Sequence, residues 1–346
     1  MLTIDSGLVD GVRDARAGDD LCRFLQSALE LEHSTIPPYL TAYYTLRPGT
    51  NDEIAEAVRG VAVEEMLHMT IAGNLILALG GRPRIATAAF VPRYPTTLPM
   101  NIGSALQVPL APYSTELVRD VFLRIEEPEN PLDFPARASF AAGAPRFATI
   151  GEFYAALVEK IVELGDGAFV GDPALQVVDP SWFPADQLFR LVDVSSAVSA
   201  LTMITEEGEG TTTSPLDREG ELAHYYRFAE LSHGRRLVPD SSVPEGYSYS
   251  GAPVPFDPAQ VWPMPANPEI EHYPPRTRAR LVAEQFAGTY TRLLHALQQA
   301  FSGEPGALDA ALGLMFELRL VAQDVLATPD ADWRPTGLCF QYRPQV

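Results

Sequence analysis

Cysteine is nearly absent from this chain: Cys22 and Cys339 are the two in 346 residues. They make no disulfide framework, and with no CxxC a thiolate metal site is not expected. Basic charge is scarce too. The 25 Lys and Arg stand against 45 Asp and Glu, a net charge of −20. That argues against nucleic acid and anionic membrane surfaces as main partners, because both need clustered cations. Long apolar runs are missing, so no membrane span is expected. The opening MLTIDSGLVDG has no basic n-region and no apolar run, so no signal peptide is expected in it. A reducing, cytoplasmic setting fits these features. No GxGxxG, P-loop or Ser/His/Asp arrangement is discernible, which leaves little for nucleotide-enzyme or hydrolase readings.

What is present is a large apolar fraction, 46%, enough for a sizeable core. Helical spacing dominates. Residues 20–46 carry Phe24, Leu25, Ala28, Leu29, Ile36 and Leu40 on one stripe. RPGTND breaks that helix, and Asp52 is a candidate cap for a second over 53–79, ended by Gly80, Gly81 and Pro83. Two long helices on a short turn should pack antiparallel. Residues 83–184 are punctuated by proline and read as an insertion. It holds a short helix near 114–123 and a better one over 149–165, where Thr149 and Glu152 match a capping box. Helical spacing returns over 186–207 and 216–238. A second Pro-rich loop covers 239–275, and helices over 276–302 and 305–327 end the chain. The expectation is an all-α single domain: a four-helix bundle with a long crossover insertion and two additional C-terminal helices.

Di-metal carboxylate bundles draw one Glu from each of two helices and a Glu-x-x-His from each of the other two. Five of the six histidines here have Glu three residues earlier, so spacing alone does not choose. The apolar stripe does. On the second helix it runs Val58, Val61, Ala72, Ile76 and Leu79, and Glu65 and His68 fall inside it. On the first, Glu32 falls inside, while Glu30 and His33 sit on the polar face and read as a solvated pair. Glu32 and Glu65 both lie roughly 20–25 Å from the intervening turn, at one level. In the second hairpin Glu206, near the end of its helix, matches Glu221 and His224. Glu206 is favoured, with Glu207 the adjoining alternative. Burying four unpaired carboxylates would cost several kcal/mol, on the order of 1–3 each. A metal pair removes that cost. The bland alternative for each residue is a surface charge, a cap or a satisfied core histidine.

The stretches LELEHSTIPPYL, VEEMLHMTIAGNLILALGG, EEGEG and ELAHYYRFAEL resemble the ferritin-like domain family associated with iminophenylpyruvate dimer synthase. That domain also occurs in bacterial enzymes that couple aromatic imino acids in violacein- and rebeccamycin-type pathways. The resemblance spans most of the chain and implies a ferritin-like bundle. It supports Glu32, Glu65, His68, Glu206, Glu221 and His224 as the matching metal positions.

Glu and His ligands suit iron or manganese. The leading expectation is a di-iron oxidase or oxygenase that takes dioxygen, an electron donor and a small organic substrate in secondary metabolism. The rivals are a non-catalytic metal-binding protein and a pathway partner with a vestigial site. Glu209 and Asp217 are candidate supporting acids, and Tyr39, Tyr43 and Tyr225 candidate pocket residues. The insertion and the 239–275 loop should cover one end of the bundle. Pro37 and Pro38 should kink the first helix and free the carbonyls of His33 and Ser34, with a cavity beside Ile36 and Tyr39.

Overall fold

The structure is a computed structural model that describes residues 6–101, 106–128, 132, 134, 150–211 and 213–344. Thr149, half of the expected capping box, lies outside them. A short helix that sequence patterning did not reveal, α1 (Ser6–Arg13), precedes the bundle. The first two bundle helices are α2 (Gly18–Thr45) and α3 (Asp52–Ala78). The Asp20 carboxylate accepts the free N–H groups of Arg16 and Ala17 at the start of α2. α3 ends in a Schellman motif: Gly81 N–H donates to the Ile76 carbonyl at 2.8 Å and Gly80 N–H to Leu77 at 3.0 Å. Gly80 has φ +84°, which glycine adopts without strain. By length and composition α3 would pass for a membrane span, yet 83% of its apolar window is buried.

α2 remains one helix through Pro37 and Pro38. Pro38 has no N–H for the Ser34 carbonyl, and the Tyr94 hydroxyl donates to that oxygen instead, at 2.9 Å. A buried carbonyl is thus satisfied from outside the helix, which offsets part of the cost of interior proline.

The insertion carries α4 (Thr115–Leu117), a π-helical segment (Val118–Phe122), α5 (Leu123–Ile125) and α6 (Ile150–Leu164). The bundle is completed by α7 (Val194–Glu209) and α8 (His224–His233). Both start later than their apolar spacing predicts. Asp193 caps α7 by accepting the Ser196 N–H at 2.8 Å. Before α8, the Asp217 carboxylate accepts the N–H groups of Glu219 and Glu221, both at 2.9 Å. Leu216 bridges Leu222 and Gly220 takes φ +85°, so 216–222 is a turn and not helix. A short hairpin of β1 (Val238–Pro239) and β2 (Tyr247–Ser248) follows. The chain ends with α9 (Arg278–Ala300) and α10 (Leu308–Ala327).

α2 and α3 pack along each other, and α7 and α8 complete the bundle against α3. The π-helical segment lies on α8, α6 packs on α1 and α7, and the paired α9 and α10 reach α2. The polar face of α2 is therefore covered at His33, while Glu30 stays half-buried and Arg23 exposed. His33 is buried against Phe90, with ring centroids 4.3 Å apart, and its Nε2 lies 2.6 Å from the Tyr290 hydroxyl of α9. Expecting a solvated pair there failed because a single helix pattern does not reveal which later helix covers it.

Candidate metal centre

Glu32 of α2 and Glu65 and His68 of α3 converge in the bundle interior, all at least 95% buried. His224, the first residue of α8, faces them, with its ring stacked 5.5 Å from that of His68. Glu126, just past α5, completes the cluster from the insertion. Two overlapping groups result: Glu32, Glu65 and His68, and Glu65, Glu126 and His224. Glu65 belongs to both.

The two imidazoles are arranged alike. His68 Nδ1 lies 3.7 Å from Glu32 and 4.0 Å from Glu65, and its Nε2 lies 2.8 Å from Glu207. His224 Nδ1 lies 3.0 Å from Glu65 and 3.4 Å from Glu126, and its Nε2 lies 2.8 Å from Glu64. Glu64 is anchored in turn by Arg227 at 2.7 Å. Each ring points one nitrogen inward and has the other held from behind by a carboxylate, as metal-ligating histidines do. His224 Nδ1 is buried and, although 3.0 Å from Glu65, meets hydrogen-bond geometry with no group, the condition of an atom suited to a cation. Hydroxyls fix the carboxylates: Tyr154 donates to Glu32, Tyr39 to Glu126, and Thr35 to Glu65 at 3.0 Å.

The electrostatics carry the same message. Burial pushes Glu65 up to about 8, and the charge of Glu126 adds to the push. Burial opposes charge on Glu32 as well, but the His68 ring 3.7 Å away outweighs that and holds it below the usual range. Burial also penalises a charged His68, yet its hydrogen bond to Glu207 and the nearby Glu32 carboxylate raise it to about 10. The carboxylates of Glu126, Glu64 and Glu65 raise His224 in the same way against burial. Without metal, imidazolium charge must offset the carboxylates. A pair of divalent cations would take over that task. The all-O/N donor set, with no thiolate, fits iron or manganese.

Two sequence-predicted ligands fall outside the cluster. Glu206 pairs with Arg218 at 2.8 Å on the surface side of α7. Its neighbour Glu207 faces inward and holds His68. Glu221 is exposed in the turn before α8, so the i, i+3 spacing to His224 places nothing on a common helix face. Glu126, from the insertion, is the carboxylate that lies with Glu65 and His224 instead. The sequence signal for it is slight: an acidic pair closing the apolar pattern of Val118, Val121, Phe122 and Ile125.

Of the other named residues, Glu209 lines a cavity of about 60 Å³ that reaches Glu32, Glu65 and Glu126. Asp217 belongs to the turn before α8, Tyr225 packs on Tyr226, and Tyr43 lies on the far side of α2. No described residue of 239–275 lines the 60 Å³ cavity, so among the described residues the insertion alone shapes it together with the bundle.

The family model described as Ferritin-like matches residues 25–233, and the chain belongs to that family. It is similar to dichlorochromopyrrolate synthase of Lentzea aerocolonigenes, 26% identical over 81% of this chain and 28% of that protein. It is also similar to 2-imino-3-(indol-3-yl)propanoate dimerase of Chromobacterium violaceum, 26% identical over 84% of this chain and 30% of that protein. The chain thus spans under a third of the length of these relatives. In fold it resembles a ferritin-like protein from Caulobacter vibrioides, with TM-score 0.60 and 20% identity over 92% of this chain and 97% of the other.

Proposed function

From membership of the ferritin-like family, we propose that the chain is a di-metal carboxylate enzyme, with iron as the native metal, that oxidises or oxygenates a small organic molecule. The observation that carries this is the mirrored pair of imidazoles, each offering Nδ1 to a shared Glu65 and each held from behind by Glu207 or Glu64. Glu32 and His68 would hold one ion, Glu126 and His224 the other, with Glu65 common to both. A bound, reduced metal pair would supply electrons to dioxygen.

The chain's own groups prepare that chemistry. Glu207 and Glu64 orient the imidazoles, and Tyr39, Tyr154 and Thr35 hold the carboxylates in place. Burial and the facing carboxylates keep both tyrosines protonated, hence donors. The 60 Å³ cavity has room for a diatomic or water-sized molecule beside Glu32 and Glu126. The dimerase relative's name points to an amino-acid-derived aromatic as substrate class. Metal analysis of the purified protein, followed by oxygen uptake after reduction, tests the reading. Bound iron and oxygen consumption are expected. A chelated protein that keeps full stability and takes up no iron overturns it.

A further inference from the structure

The helices that carry the candidate metal ligands on one face line a second and larger cavity with the other. It measures about 320 Å³ and lies between α2, α3, α9 and α10. Ile36, Met66, Met69, Leu293, Leu297 and Phe301 form much of its wall. The sequence led us to expect a cavity beside Ile36 and Tyr39. It lies on the Ile36 side only, since Tyr39 turns toward Glu126.

Three features go beyond packing imperfection. The volume falls within the range of small-molecule sites. Two buried ring nitrogens of lining residues, His33 Nδ1 and Trp182 Nε1, have no hydrogen-bond partner. Arg59 and Arg319 line both this cavity and an adjoining one of about 210 Å³, and neither forms an ion pair among the described residues. The adjoining rim adds Arg47, stacked 3.5 Å over Trp262, against Asp52 and Glu56. In a chain of net charge −20, a rim with three arginines to two acids is a local excess of cation. Arginines without carboxylate partners beside an apolar chamber match an anionic head on an apolar body.

We propose that this chamber binds a small monocarboxylate with an apolar body, its carboxylate at Arg59 and Arg319 and its body against Met69, Leu293 and Leu297. The site is separate from the metal centre and does not depend on the proposed reaction.

The test is calorimetric titration of the full chain, metal-loaded and chelated, with straight-chain acids from hexanoate to decanoate, with decanol, and with 3-phenylpropanoate. Affinity should rise about threefold to fourfold per methylene until the chamber is full. Decanol, lacking the charge, should bind about tenfold or more weakly than decanoate. Arg59→Gln with Arg319→Gln changes exposed side chains and should weaken decanoate by a similar factor while leaving metal content unchanged. Leu297→Trp should abolish binding by filling the chamber, and a Trp182 fluorescence change should be lost in Trp182→Phe. The rank of 3-phenylpropanoate against hexanoate assigns an aryl or alkyl body, and either order supports the site. Decanol binding as tightly as decanoate, an unchanged double arginine variant, or no binding of decanoate up to its solubility limit would overturn the proposal. Metal loading does not enter these readouts, so failure of the oxidase reading leaves them intact.

Discussion

Glu126→Gln separates the structural account of the centre from the sequence motif. Glutamine keeps an oxygen for the Tyr39 hydroxyl and removes the charge. In the metal-free protein Glu65 is held at about 8 by burial and then by Glu126. Against the ordinary value of 4.5, keeping it neutral at pH 7 costs on the order of 3 kcal/mol. Removing the charge of Glu126 relieves Glu65 but also withdraws the carboxylate that most supports the charged His224. The two effects oppose, so chelated Glu126→Gln should stay within about 1 kcal/mol of the parent. Metal binding should fall much further. The group of Glu65, Glu126 and His224 loses one of its two carboxylates. Loss of merely supporting groups costs about 10–100-fold in metal affinity, so loss of a ligand should cost at least about 100-fold, or ~2.7 kcal/mol. Denaturant melts of chelated protein and metal stoichiometry by mass spectrometry read the two effects. One metal ion per chain instead of two is expected, with metal-free stability within about 1 kcal/mol of the parent. Glu221→Ala should retain both ions. The reverse pattern, with Glu126→Gln keeping two ions and Glu221→Ala losing one, would refute the reasoning.

Four further outcomes are expected. Glu207→Gln should weaken metal binding by about 10–100-fold by releasing His68, whereas Glu206→Ala, which breaks only a surface pair with Arg218, should change stability by under about 1 kcal/mol and leave metal content alone. Tyr94→Phe should cost about 1 kcal/mol in a denaturant melt, and the cost should shrink in a Pro38→Ala background, where residue 38 regains an N–H for the Ser34 carbonyl. An undiminished cost there would refute the role given to Tyr94. Chelated protein should lose stability as pH rises from about 5 to 10: Glu65 and His68, with folded values of about 8 and 10 against 4.5 and 6.5, both bind more protons folded than unfolded in that range. Metal-loaded protein should show a flatter thermal-melt profile over the same range.

The all-helical class and the first hairpin were legible because α2 and α3 are long and strongly periodic. Glu32, Glu65 and His68 interrupt their apolar stripes with groups a core does not hold without a reason. Helix spacing fixes which residues share a face, so a regular element carries its own geometry in its sequence. The starts of α7 and α8 were not legible, since apolar spacing continued through segments that Asp193 and Asp217 turn out of helix. Choosing between Glu206 and Glu207 needed the rotation of α7 about its axis, which packing against α3 decides. His224 was legible as a residue type but its partner was not, because Glu221 precedes the helix that would have aligned the two. Glu126 lies just past the short α5, where no long periodicity relates position in the chain to position in space, and α6 was legible as a helix while the docking that carries its Tyr154 to Glu32 was not. The covering of His33 by α9 likewise joins residues 257 apart in sequence. By itself the sequence pointed to the bundle, to the three candidate ligands on its long helices and to His224 as a fourth. The tertiary structure alone brought Glu126 and Glu207 to them, because those side chains meet by long-range packing that local spacing does not encode.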